Sequence, residues 1–351
     1  MTTSDSSSKT NATSNYVTPP MEQNPTDVAP PVGITPPQIL AQDAAAGRRG
    51  AAWRLMHWIM EDDPRAIIAV SSLEDDRLAR NLLEFIATGT WAGKPFVVPG
   101  PLRSPHARTR LRTLFLPGAG MEPARAEHVL LQAARDSRPQ MRETAVHVLG
   151  IIGSPVATPV LISALRDSVP AVRIQAAKAL GRTGDPSAVK ALLNVLHGAD
   201  EQLGSQIFSA LVKLGHDAVP ALLEESKSNS AWVRWQCIRS LGEIRDRRAL
   251  PVLVQALGDS DHSVAWMAAK GLVHFGKVSV GPVLNLLTTT PMTPWLVETA
   301  SYVLNNQRDP RLKPYLEPVI HHMRGPAFRV GTPTTAQKAL SRLIADGLLE
   351  A

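Results

Sequence analysis

Eight side chains in the second half of the chain are of types that attract anions and stack on rings, and they recur at fixed spacing. Lys178, Arg239 and Lys270 stand six residues after an apolar anchor, and Arg182, Lys213 and His274 stand ten after one. Trp235 and Trp266 stand two after theirs. A helix turns once in 3.6 residues, so positions two, six and ten after a common origin share one face. The chemistry of such a face is recognition: a cation beside an indole holds a partner through burial and cation–π attraction. It would suit an acidic peptide, an anionic pigment or a nucleic-acid backbone. The plainer alternative is solvated lysines and packed tryptophans. Against it stands Trp at the second position in two successive units, opposite the positions four, five and eight that face the core.

Residues for bond-making are missing. Cys237 is the only cysteine, which excludes an internal disulfide, and its apolar setting predicts a buried structural thiol. His321 and His322 are neighbours whose side chains on a helix point about 100° apart, a poor metal site. No His-Glu dipeptide occurs. Gly89 to Lys94 invites comparison with a phosphate loop, but it is one residue short and continues with Pro95 where Ser or Thr should hold magnesium. No catalytic residue, metal or cofactor is expected.

The anchors that position the eight are Met141, Val172, Leu203, Val233, Val264 and Leu296, at steps of 31, 31, 30, 31 and 32 residues. Each is followed at +4 by a small or apolar residue and at +8 by Leu149, Leu180, Leu211, Leu241, Leu272 or Leu304. A period of this size predicts an all-α protein, an α–α superhelix (solenoid) in which each helix pair buries its apolar face against its neighbours. Pro159, Pro220, Pro251 and Pro282 open the first helix of a pair, where the missing N–H is harmless. Gly153, Gly184, Gly215 and Gly276, twelve past the anchor, suit a left-handed helix stop. Arg142, Arg173 and Arg234 follow their anchors directly and are expected to reach turn carboxylates such as Asp136, Asp167 or Asp261.

Three regions follow. Residues 1–38, rich in Ser, Thr and Pro, read as a disordered tail serving as a tether or a peptide docking site. Residues 39–122 read as a divergent helical cap, with a helix from Pro64 that breaks near Ser71 and Ser72. Within this cap, 87–105 is a long Gly- and Pro-rich loop of the kind that is often functional, with Arg103 near its end and Arg108, Arg110 and Arg112 on a short helix after it. Residues 123–351 read as six or seven helix pairs closing on an irregular terminal unit.

The segment LRDSVPAVRIQAAKALGRTGDPSAVKALLNVL (165–196) resembles the HEAT-like repeats of the phycobilisome-lyase group, and its pattern returns at 228–246 and 259–276. The resemblance implies an armadillo-type fold with the second helices on the concave side. For function it implies a family of lyases, hydroxylases, glycosylases and scaffolds. A non-enzymatic scaffold holding another protein in the groove is the leading expectation. A lyase or chaperone for a chromophore-carrying protein is the alternative, with Arg239, Lys270 and Trp235 holding a bilin. A HEAT-like DNA glycosylase, resting on Trp232-Val233-Arg234 and the carboxylates Glu298 and Glu243, is a third. The iron-dependent hydroxylases built of similar repeats are excluded by the lack of His-Glu pairs.

A net charge of +6 spread along the chain is too mild for a dedicated DNA binder and permits an acidic partner. No apolar run reaches the length of a membrane span, and the start of the sequence lacks the features of a secretory signal, so a cytoplasmic protein is expected.

Overall fold

The computed structural model describes residues 35–73, 75–98 and 105–350. The tail reading falls almost wholly outside these residues, as does Arg103. Helices α1 (Pro37–Ala45), α2 (Arg49–Met60), α3 (Pro64–Ser71) and α4 (Asp76–Thr88) come first. A short hairpin, β1 (Thr90–Trp91) with β2 (Lys94–Pro95), and α5 (Pro105–Thr113) follow. Then come pairs: α6 (Pro123–Ala133) with α7 (Pro139–Ile152), α8 (Thr158–Ala164) with α9 (Pro170–Thr183), and α10 (Ala188–Leu196) with α11 (Glu201–Leu214). They continue as α12 (Val219–Glu225) with α13 (Ala231–Ile244), α14 (Leu250–Gln255) with α15 (His262–Phe275), and α16 (Lys277–Thr289) with α17 (Pro294–Asn305). Helices α18 (Lys313–Arg324) and α19 (Phe328–Ala345) complete the chain.

The pattern that dictates these pairs is the buried stripe. All six anchors and all six leucines at +8 are buried. Asp200, Ser230, Asp261 and Thr293 cap the second helices α11, α13, α15 and α17, each side-chain oxygen accepting a first-turn N–H that the helix leaves unpaired. Gly153 and Gly184 end α7 and α9 in the left-handed conformation. Gly215 and Gly276 also have positive φ but turn to ψ of −130° and −137°, outside the left-handed helical region. In the fourth unit Arg245 takes the left-handed position at φ 58° without a glycine. Pro282 departs from the first-turn pattern: α16 starts at Lys277, immediately after the Gly276 turn, so this proline lies inside the helix instead of opening it.

Second helices stack on second helices in one layer, and first helices form the other, less closely spaced one. Close stacking has a local cause. The residue nine past the anchor is glycine in three units, and it meets a small residue seven past the next anchor. A Cβ built on Gly150 would lie 2.6 Å from that of Ala179, and one on Gly181 would lie 2.7 Å from Cα of Ala210. Gly242 meets Gly271 backbone to backbone. Where Val212 and Val273 stand instead, at the α11–α13 and α15–α17 joints, the helices share much less contact.

The turns are tied by arginine. Arg142 donates two hydrogen bonds to Asp167 of the following unit (2.7 and 2.9 Å) and one to the carbonyl of Asp136. Arg234 does the same to Asp259 (2.9 and 2.8 Å), not to Asp261, which caps α15. Arg173 reaches only carbonyls, because Gly198 occupies the carboxylate position of the next unit.

Of the loop expected at 87–105, the described part up to residue 98 is a structural plug. Trp91, Phe96 and Val98 are buried, and the Trp91 indole N–H donates to the carbonyl of Ala44 (2.9 Å). Arg110 is held by Asp62 and the carbonyl of Met60, and Arg108 is exposed. Helix α4, despite lacking the consensus, stacks on α7 as the second helices stack on one another. At the other end α19 packs across α18 and α16, closing the first-helix layer.

Candidate partner-binding face

The exposed face of the second-helix layer carries all eight residues singled out by spacing. Arg182, Lys213, Lys270 and His274 are exposed, while Lys178, Arg239, Trp235 and Trp266 are half-buried. Neither tryptophan ring is sealed inside.

Two aromatic stacks organise the face, each at a joint where valine replaces the glycine nine past the anchor. At α11–α13, Trp232 and Trp235 stack in near-parallel planes with centroids 5.7 Å apart. The Arg239 guanidinium lies 3.8 Å from the Phe208 ring centroid and 5.3 Å from that of Trp235. At α15–α17, His262 meets Trp295 edge-on at 4.2 Å and stacks toward Trp266 at 6.2 Å, and Trp266 packs on Tyr302 at 4.8 Å. A wider joint leaves room for rings, and the rings fill it.

Between the stacks, at the Gly242–Gly271 joint, lies a cleft of about 240 Å³. Its rim carries Arg239, Lys270, His274, Tyr302 and Glu243, and Met267 and Val273 contribute apolar wall. Toward α7 and α9 the face is again basic. Burial pushes His147 below its ordinary pKa, with the positive charges of Arg112, Arg182 and Lys178 acting in the same direction and a hydrogen bond with Gln175 opposing.

Among the described residues no carboxylate lies within ion-pair distance of Lys178, Arg182, Lys213, Arg239 or Lys270, whereas Arg138, Arg142, Arg234, Arg248 and Arg311 at the turns are matched. The Arg248 side chain, its backbone N–H and His216 hold the Asp246 carboxyl well below the usual range. Arg142 does the same for Asp167.

Three features escaped the spacing. Phe208, five past its anchor, was expected in the core, but it is half-buried beneath Arg239. His262 precedes its anchor and so belongs to no repeat position. Gln236 and Thr299, placed at +3 on the open face, are buried against neighbouring helices. Glu298 lies 3.4 Å from His262 and is exposed. Cys237 is buried, which raises its thiol to about 12. Among the described residues there is no cluster of three or more metal-ligating side chains and no helix long and apolar enough to cross a membrane.

The model of HEAT repeats matches residues 100–170, 158–229 and 219–305, more than half of the chain. The chain belongs to the HEAT repeat family. No curated protein matches it. Solved structures do, at low identity. The complex of CpcE and CpcF of phycocyanin lyase from Nostoc sp. PCC7120 is 19% identical over 69% of this chain and 91% of that one, with a TM-score of 0.31. The archaeal HEAT-like repeats protein from Thermococcus onnurineus NA1 is 18% identical over 52% and 87%, with a TM-score of 0.34. Importin beta is 12% identical over 88% and 50%, with a TM-score of 0.45. These likenesses speak to the fold alone.

Proposed function

We propose that this HEAT protein is a non-enzymatic scaffold that holds a protein partner with an acidic segment along its second-helix face. The closer spacing of that layer makes it the inner side of the array, where an extended partner meets successive units at once. The observation that carries the reading is the row of cations without carboxylate partners running beside half-exposed rings. Arg142 and Arg234 at the turns are neutralised by Asp167 and Asp259, whereas the charge of this row is left for something else. Rigid rings supply contact area at little entropic cost, and the cations steer an acidic segment onto them.

The test is capture from the native host by wild-type protein and by a Lys178→Glu/Lys213→Glu/Lys270→Glu variant. A specific partner held by the first and lost by the second, at unchanged melting temperature, supports the reading. A partner held equally by both moves the site off this face. Duplex DNA retained in place of protein, with strong salt dependence, replaces the scaffold with a nucleic-acid binder.

A further inference from the structure

We infer that the cleft over the Gly242–Gly271 contact is a subsite for one partner side chain ending in an oxyanion, a carboxylate or a phosphate monoester. The inference rests on the scaffold reading and specifies what the partner must present there.

Four observations converge. First, the glycine pair draws α13 and α15 into backbone contact, with a Cβ built on Gly242 only 2.9 Å from Cα of Gly271. Cations at +6 on the two helices, Arg239 and Lys270, thereby come to line one cleft with His274, and none of the three has a carboxylate partner among the described residues. Second, Arg239 is already fixed. Its guanidinium lies over Phe208 and toward Trp235, so little side-chain freedom remains to be lost when an anion binds. Third, Tyr302 lines the same cleft and brings a hydroxyl donor to it, while Met267 and Val273 offer an apolar surface to an alkyl stem. Fourth, a volume of about 240 Å³ fits a single side-chain terminus and is too small for a pigment or a folded element.

Glu243 on the rim sets a condition of its own. Its carboxylate repels a second negative charge on that side, so the subsite takes an isolated oxyanion better than a dense acidic run. A phosphate monoester, carrying up to two charges and three acceptor oxygens, engages Arg239, Lys270 and a His274 ring N–H more completely than a carboxylate.

The experiment follows the methyl resonance of Met267 in the full chain by NMR. The probes are N-acetylphosphoserine N-methylamide, N-acetylglutamate N-methylamide and, as the uncharged control, N-acetylglutamine N-methylamide. Saturable shifts with both oxyanions, tighter for the phosphate, and none with the amide are expected. Arg239→Gln and Lys270→Gln should each weaken binding about tenfold or more, since a charge-assisted hydrogen bond is removed. Lys190→Gln, on the exposed side of α10, should leave it unchanged. A carboxylate bound as tightly as the phosphate keeps the oxyanion subsite and removes the preference for phosphate. No saturable shift with any probe, an equal shift with the amide, or an equal loss in Lys190→Gln overturns the subsite. Partner capture that persists while the probes fail refutes this inference and leaves the scaffold standing; loss of both refutes the scaffold as well.

Discussion

Cα of Gly271 lies 2.9 Å from where a Cβ on Gly242 would be, closer than real Cβ atoms approach other atoms. A methyl group at either position forces α13 and α15 apart. Gly242→Ala should therefore destabilise the protein by about 1–3 kcal/mol, as overpacking of a well-filled interior does. Gly198→Ala, where nothing lies within 4 Å and φ is unstrained, should be close to neutral. Urea denaturation of the two variants checks the contrast.

The arginine at the turn separates its units by what the next unit offers. Arg142 grips Asp167 with two charge-assisted bonds, and both side chains are largely buried (15% and 10% exposed). Arg173 finds only carbonyls. Arg142→Ala should cost about 1–2 kcal/mol more than Arg173→Ala, because it leaves a shielded carboxylate unpaired. A double-mutant cycle with Asp167→Asn should show that excess as coupling.

The same carboxylates set the acid limit. Asp136, Asp167, Asp246 and Asp259 all titrate below their ordinary values in the folded chain. The first three are held down mainly by arginine hydrogen bonds; at Asp259 burial opposes the shift and is outweighed by Arg234 and the Asp261 N–H. A depressed folded value means the stabilisation is complete above the unfolded value of about 4 and is lost as pH falls below it. The urea midpoint should be insensitive to these groups from pH 7 to about 5 and drop steeply below about 4. Asp246→Asn should lower the midpoint at neutral pH and make the acid drop shallower.

Burial raises the Cys237 thiol to about 12, with the charge of Glu225 adding to the effect. Little thiolate exists near pH 8, and the sulfur is out of reach of reagent. Ellman's reagent should therefore react with the native chain only as fast as it opens, and immediately in denaturant. Rapid modification of the native protein would contradict a packed structural thiol.

The array was legible in the sequence because its cause is periodic. Met141, Val172 and their successors are buried for the same reason in every unit, so one spacing carries six helices. The glycine contacts are periodic too, since Gly150, Gly181 and Gly242 share position +9, but what they touch depends on how two units stack. Other features have no period. Trp91 anchors a hairpin through the Ala44 carbonyl, a contact spanning 47 residues, so a Gly- and Pro-rich stretch that resembles an open loop is held as a plug. His262 and Phe208 join the candidate face through neighbouring helices, and no pattern within one repeat marks them.

Trp235 and Lys270 should respond oppositely to substitution. Trp235 packs partly on the core, stacks on Trp232 and lies near the Arg239 guanidinium, so its ring shares in the structure as well as in the face. Trp235→Ala should cost about 2 kcal/mol, roughly half of a full core truncation, and release Arg239 from one of its two rings. Lys270 is exposed and touches no carboxylate among the described residues. Lys270→Glu should leave the denaturation midpoint within experimental error while abolishing retention of the partner. Thermal melts of both variants alongside partner capture decide the matter: a Lys270→Glu protein that unfolds early assigns that lysine to the fold, and one that melts normally yet still holds the partner removes it from the binding face.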